Sequence, residues 1–274
     1  AAEAAASGLN WTFAPMVDVS RDARWGRVME GAGEDPFLGS KVAYARVKGF
    51  QGDDLSQPNT IAACAKHFAG YAFAEAGKDY NTVDISDNTL HNIILPPFKA
   101  AAEAGALTFM NSFNELEGIP ATGNAYLQRE ILKNEWGFKG FIVSDWMDIE
   151  HIHDLHQTAE TNKDAYHQSI EAGMDMHMHG PDFFYKVIEL VKEGKISEAR
   201  INESVKKILE AKFKLGLFEN PFVDLKKIKT SIFTKAHQQT ALDAARKSIV
   251  LLKNNGILPL KAGQFKNVFV TKFL

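Results

Sequence analysis

Cysteine is nearly absent from this chain. Cys64 is the only one in 274 residues, so no internal disulfide can form. Oxidising and reducing compartments both remain open. Cys64 lies in the apolar run Ala62 to Ala65, where a thiol packs as a small hydrophobe. Long hydrophobic runs are also missing. None approaches the roughly 20 residues that a membrane-crossing helix needs, and no membrane partner is expected. Nor is there an excess of one charge: 31 basic residues meet 34 acidic ones, a formal net charge of -3. Nucleic-acid binding calls for a basic stripe, and here the two signs are interspersed. The first residues, AAEAAASGLNW, have neither the basic patch nor the apolar core of a secretory leader. They read as the end of a helix that starts upstream. Internal repeats and low-complexity tracts are absent. Gly26, Gly31 and Gly33 imitate a nucleotide loop only loosely, without the GxGxxG or P-loop spacing.

What is present is alternation. Apolar runs at Trp11 to Val19, Thr60 to Phe68, Leu107 to Phe113, Gly140 to Asp145 and Met174 to Met178 read as strands. Helical patterns separate or follow them. Phe184, Val187, Ile188 and Val191 recur at helical spacing, as do Ile201, Val205, Ile208, Leu209 and Phe213. Gly216 is a natural stop. Strand-helix alternation implies parallel strands with helical crossovers. Consecutive apolar positions such as Phe141-Ile142-Val143 imply strands covered on both faces. A doubly wound sheet and a (β/α) barrel both fit, although a closed barrel needs eight strands and five are legible. After Gly216 the texture changes. Asn220-Pro221 breaks the pattern and a lysine-rich stretch follows. A helix is expected over His237 to Lys247, a tight turn at Asn254-Asn255-Gly256, and a strand over Asn267 to Val270.

Sites in parallel sheets form at the carboxyl ends of the strands. That rule selects Asp18 with the Arg21 to Arg27 segment, Lys66-His67, Ser112-Phe113-Asn114, Ser144-Asp145-Trp146 and His177-Met178-His179. Asp145 is the leading candidate. A carboxylate at the end of a buried apolar strand is costly unless it is paired or used. Its bland alternatives are a helix cap or a pair with a nearby base. Alternation puts Lys66 and His67 on opposite faces unless the chain turns there. Arg21, Arg24 and Arg27 surround Trp25. They can grip hydroxyls or carboxylates beside a flat ring, or simply pair with Glu30, Glu34 and Asp35. His151, His153, His156, His177 and His179 raise a zinc reading, but their spacing matches no helical metal face and HExxH is absent.

Taken together, six segments resemble glycoside hydrolase family 3. FAPMVDVSRDARWGRVMEGAGEDPFLGS, AACAKHFAGY, FMNSFNELEGIPATGN, GFKGFIVSDW, AGMDMHM and SIVLLKNNGILPL occur in the family's order and span nearly the whole chain. The resemblance implies a (β/α)8 barrel over residues 1–219, incomplete at its start. A linker over 220–260 and the beginning of an α/β sandwich domain over 261–274 would follow. It implies a retaining β-glycosidase, resembling the β-D-glucosidases, with Asp145 as nucleophile. Arg27, Lys66 and His67 would bind sugar hydroxyls, Met110 and Phe113 would line the pocket, and Trp146 would border the sugar. The substrate would be an oligosaccharide or β-glucoside, with no cofactor or metal. The acid/base glutamate would lie beyond Leu274, leaving this chain weakly active or inactive by itself. A periplasmic or extracellular home is expected for the enzyme. Phe113 stands where many members have Tyr, and Ala23 stands where most have Pro. Two other readings compete: a metal-dependent barrel hydrolase built on the histidines, and a non-catalytic sugar-binding fragment.

Overall fold

A computed structural model describes residues 1–269 and 271. The chain divides into two compact units, Ala1–Ile232 and Phe233–Leu274.

The first unit is built on parallel extended segments. Strands β1 (Cys64–Phe68), β2 (Thr108–Asn111) and β3 (Phe141–Val143) form one sheet in that order. Cys64 pairs with Thr108, and Thr108 with Phe141. Parallel bridges Trp11 to Ala62, Met16 to Lys66 and Val143 to Met176 add a segment on each side. All five expected runs are therefore found, but the two outer ones make only isolated bridges. Each segment lies beside its neighbour in sequence, as short right-handed crossovers favour.

The sheet is covered by helices, which explains its unbroken apolar runs. Ala63, Ala65, Phe68, Phe109 and Ile142 are buried against helix α1 (Pro36–Gln51), helix α2 (Leu95–Glu103) and the wide-turned helical segment Tyr126–Glu135. Helix α1 starts where Asp35 caps the Leu38 N–H at 2.7 Å and Pro36 occupies the first turn. Gly140 opens β3 because nothing larger fits. A Cβ there would stand 1.9 Å from the Leu107 carbonyl.

Helix α3 (Asp148–Asp154) follows β3 directly, and helix α4 (Asn162–Ala172) leads to the Met176 segment. Helices α5 (Asp182–Lys192) and α6 (Glu198–Lys214) match the two sequence periodicities. Gly216, at φ +65°, ends the second. Among the described residues, no helix is long and apolar enough to cross a membrane.

The second unit contains helix α7 (Lys235–Ser248). The turn after it is held by Asn254, whose Oδ1 accepts the N–H groups of Gly256 and Leu258 at 3.1 Å each. Asn267 to Phe269 carry no regular structure. Val270, the last residue of the strand expected there, lies outside the described residues.

Candidate active site

Parallel strands place all their carboxyl ends along one edge. That edge gathers Asp18, His67, Phe113, Asp145 and His177. At the end of β1 the pairing shifts between Ala65 and Phe68. Strict strand alternation is therefore suspended where the Lys66 and His67 side chains emerge.

His67 is the centre of the array. Its Nδ1 lies 2.9 Å from Asp18 Oδ2, and its backbone N–H donates to the same oxygen at 3.0 Å. Both side chains are buried. The other ring nitrogen, Nε2, is buried without a hydrogen-bond partner and stands 3.6 Å from Asp145 Oδ2. Buried polar atoms are nearly always satisfied. The charged group that Nε2 faces is the Asp145 carboxylate.

Asp145 is 13% exposed in its side chain. Oδ1 accepts the Trp146 N–H at 2.7 Å, which leaves Oδ2 toward His67. Ser144 pins the turn, because its Oγ donates to the Asp145 carbonyl and accepts the Met178 N–H, both at 3.0 Å. Asp145 is thus not the cap of helix α3. Trp146 is 54% exposed, and its ring stacks on His179 at 3.9 Å.

Arg27 forks onto Glu30 at 2.6 and 3.0 Å and lies 5.5 Å from the Tyr71 ring centre. Arg27 holds the Glu30 carboxyl below its ordinary range, and the charges of Lys66 and His67 add to this. Arg27, Lys66 and His67 therefore share one neighbourhood. The other arginines do not join it. Arg24 pairs with Asp22, at 2.6 Å, and lowers that carboxyl to about 2. Glu34 and Asp35 take no part in these pairs. Trp25 is only 1% exposed and donates to Asp79 at 2.8 Å, so it is a core ring, not an open sugar platform. A hollow of about 430 Å³ lies behind this loop, lined by Arg21, Asp22, Arg24, Phe73 and Glu75. Asp18, His67, Phe113, Asp145 and His177 do not line it.

Met110 and Phe113 are both buried. Met110 packs with Cys64, Phe141 and Val143, and Phe113 with Met16, Trp25 and Tyr71. Burial pushes the Cys64 thiol up to about 12, which makes it inert as a nucleophile. The histidines go separate ways. His151 pairs with Asp154, and His156 lies against the Phe113 carbonyl. His177 lies against Glu150, which also accepts the Tyr166 hydroxyl. Among the described residues, no three His, Cys, Asp or Glu side chains gather as a metal site.

Asp148 was not legible as part of the array. It is buried beneath Asp145, whose backbone N–H donates to its Oδ2 at 3.4 Å. Burial pushes the Asp148 carboxyl up. The Asp145 charge and, more weakly, Glu150 add to the rise, while bonds from Asp145 and Thr122 oppose it. The folded chain therefore holds this proton above the ordinary 3.8, and stability falls as pH climbs through that window. Asp148→Asn, which keeps the acceptor, is expected to remove that loss. Its melting temperature should exceed that of the unaltered chain by about 3 °C or more at pH 7, with a smaller gap at pH 4. Equal gaps at both pH values would contradict the account.

The fold and the edge define an α/β domain that presents a carboxylate-histidine-carboxylate array at the carboxyl ends of parallel strands. Residues 1–211 match the N-terminal domain of glycosyl hydrolase family 3, and the chain belongs to that family. It is 41% identical over 266 residues to a periplasmic β-glucosidase of Salmonella typhimurium, covering 94% of this chain and 34% of that protein. It is 36% identical over 257 residues to a xylan 1,4-β-xylosidase of Xylanibacter ruminicola, covering 92% and 30%. The crystal structure of a Listeria innocua β-glucosidase in complex with glucose superposes with a TM-score of 0.91 at 44% identity. That match covers 94% of this chain and 36% of that one. The chain thus spans about a third of the length of these relatives.

Proposed function

We propose that this chain carries the nucleophile and the sugar-binding floor of a retaining β-glycosidase acting on β-D-glucosides or β-D-xylosides. The observation that carries this reading is the buried Nε2 of His67, which has no hydrogen-bond partner and faces Asp145 at 3.6 Å. A sugar hydroxyl would satisfy it. Arg27 and Lys66 supply further donors alongside. The five parallel segments are an arc of a (β/α)8 barrel, with residues 1–219 as barrel, 220–260 as linker and 261–274 as the start of a sandwich domain.

In this mechanism Asp145 Oδ2 attacks the anomeric carbon as the bond to the leaving oxygen breaks, through an oxocarbenium-like transition state. A second carboxyl, about 5 Å away, protonates that oxygen and later activates water, which releases the sugar from Asp145. Asp148 and Glu150 are poorly suited to this role, the one buried and the other bound by His177 and Tyr166. Without a general acid at hand the rate is lower by about 10²- to 10⁴-fold. The enzyme works in the periplasm or outside the cell.

The test is trapping. A dinitrophenyl 2-deoxy-2-fluoro-β-D-glucoside leaves without a general acid, and it is expected to place one fluoroglucosyl group on Asp145 of this chain. Peptide mass mapping reads the position. An adduct on another residue, or none even in the full-length enzyme, would reject the assignment and leave a sugar-binding role.

A further inference from the structure

Tyr80 is used by no part of the scheme above, yet its placement is unusual. It sits in the loop that follows β1, at φ +65°, in the left-handed region that bulky side chains avoid. The loop is fixed on both flanks. Glu75 N–H donates to the Thr82 carbonyl at 2.9 Å, and the Trp25 indole grips Asp79 at 2.8 Å. Gly77 is pressed so closely on Arg24 and Trp25 that a Cβ there would meet them at 2.9 Å. The loop is thereby held on either side of Tyr80.

The ring lands on Phe113 at 4.4 Å between centres, with His151 at 6.0 Å and Tyr71 at 6.2 Å. Tyr71 in turn lies 5.1 Å from the His67 ring. His151 belongs to the helix that begins three residues after Asp145. Tyr80 therefore bridges the His67 side of the array and the nucleophile side. It does so while still 38% exposed, unlike Phe113 and Tyr71 beneath it. An aromatic ring held in place by a costly backbone, with one face left open, is suited to a ligand rather than to the core.

We propose that Tyr80 is a sugar-contacting residue, its ring forming one wall beside Asp145 and its hydroxyl bonding a hydroxyl of the bound monosaccharide. The electrostatics agree with that position. Desolvation raises the phenol's pKa, the charges of Asp79 and Asp145 raise it further, and Arg27 opposes them, so the phenol stays a neutral donor. The proposal rests on the glycosidase reading for the nature of its ligand.

The experiment uses the 274-residue chain and D-glucose or D-xylose as probes, with tryptophan fluorescence or calorimetry as the readout. Tyr80→Phe is expected to weaken binding of the preferred sugar about fivefold, and Tyr80→Ala about 30-fold. Circular dichroism checks that both variants are folded, and Tyr80→Phe keeps the ring should Tyr80→Ala fail to fold. Affinities within twofold of the unaltered chain for both variants would overturn the proposal. So would binding of neither sugar by the unaltered chain. The labelled residue in the trapping experiment reports separately on Asp145, so either reading can fail while the other stands.

Discussion

Asp145→Asn is expected to lower kcat/KM of the full-length enzyme on nitrophenyl β-D-glucoside by on the order of 10⁴-fold or more. The substitution is nearly isosteric. An amide oxygen can still accept the Trp146 N–H, which Asp145 holds at 2.7 Å. His67 keeps Asp18 at 2.9 Å. Sugar binding should therefore survive, and the loss should fall on kcat with KM changed only severalfold. A residue that merely braced the turn would give the opposite pattern, a lower melting temperature with a modest rate effect. Steady-state kinetics and thermal unfolding on the same preparation separate the two. A rate loss below tenfold would remove Asp145 from the chemistry.

Asp175→Ala is expected to be the most damaging change to stability. The Asp175 side chain is fully buried. It accepts the Ile142 N–H at 3.1 Å and the Ser204 hydroxyl at 2.9 Å, and it faces Lys133 at 3.2 Å and Arg200 at 3.3 Å. Lys207 stands 3.6 Å away. It therefore anchors β3 to helix α6. Removing one member of a buried ion network costs about 3–5 kcal/mol, because the partners are left uncompensated. For a domain of this size that is roughly 6–20 °C in melting temperature. Lys133 can soften the loss. Burial already pulls its ammonium down to about 7, against the attraction of Asp175, so it sheds its proton readily. Arg200 cannot do so. Asp175→Asn has a single acceptor oxygen, so it can keep the bond from the Ile142 N–H but not also the one from the Ser204 hydroxyl, and it should lose less than Asp175→Ala. Thermal unfolding by circular dichroism decides, and a drop under about 2 °C for Asp175→Ala would show that the network is not a brace.

Much of this was readable along the chain. Parallel strands followed from apolar runs separated by helical periodicities, and those runs exist because both faces of the sheet are covered. Asp145 stood out because a carboxylate ending such a run needs a reason. The outer segments at Trp11 and Met176 were legible as strands but make only isolated bridges, since pairing depends on neighbours that composition does not reveal. The arginine cluster misled in part. Three basic residues around a tryptophan suggested an open platform, but Trp25 is core and Arg24 is taken by Asp22. Nothing local distinguishes a buried indole from an exposed one when its partner, Asp79, lies 54 residues away.

The linear order of residues, by itself, determined the element types, the family and the identity of the strand-end carboxylate, because periodicity and motif spacing are properties of neighbours. Only the tertiary structure decided that Asp18 holds His67 from 49 residues away, that Nε2 faces Asp145 without a hydrogen-bond partner, and that Asp148 lies buried beneath the Asp145 turn. Those are matters of register and burial. They depend on which strand ends the sheet brings side by side, and on how much water the packed helices exclude from between them.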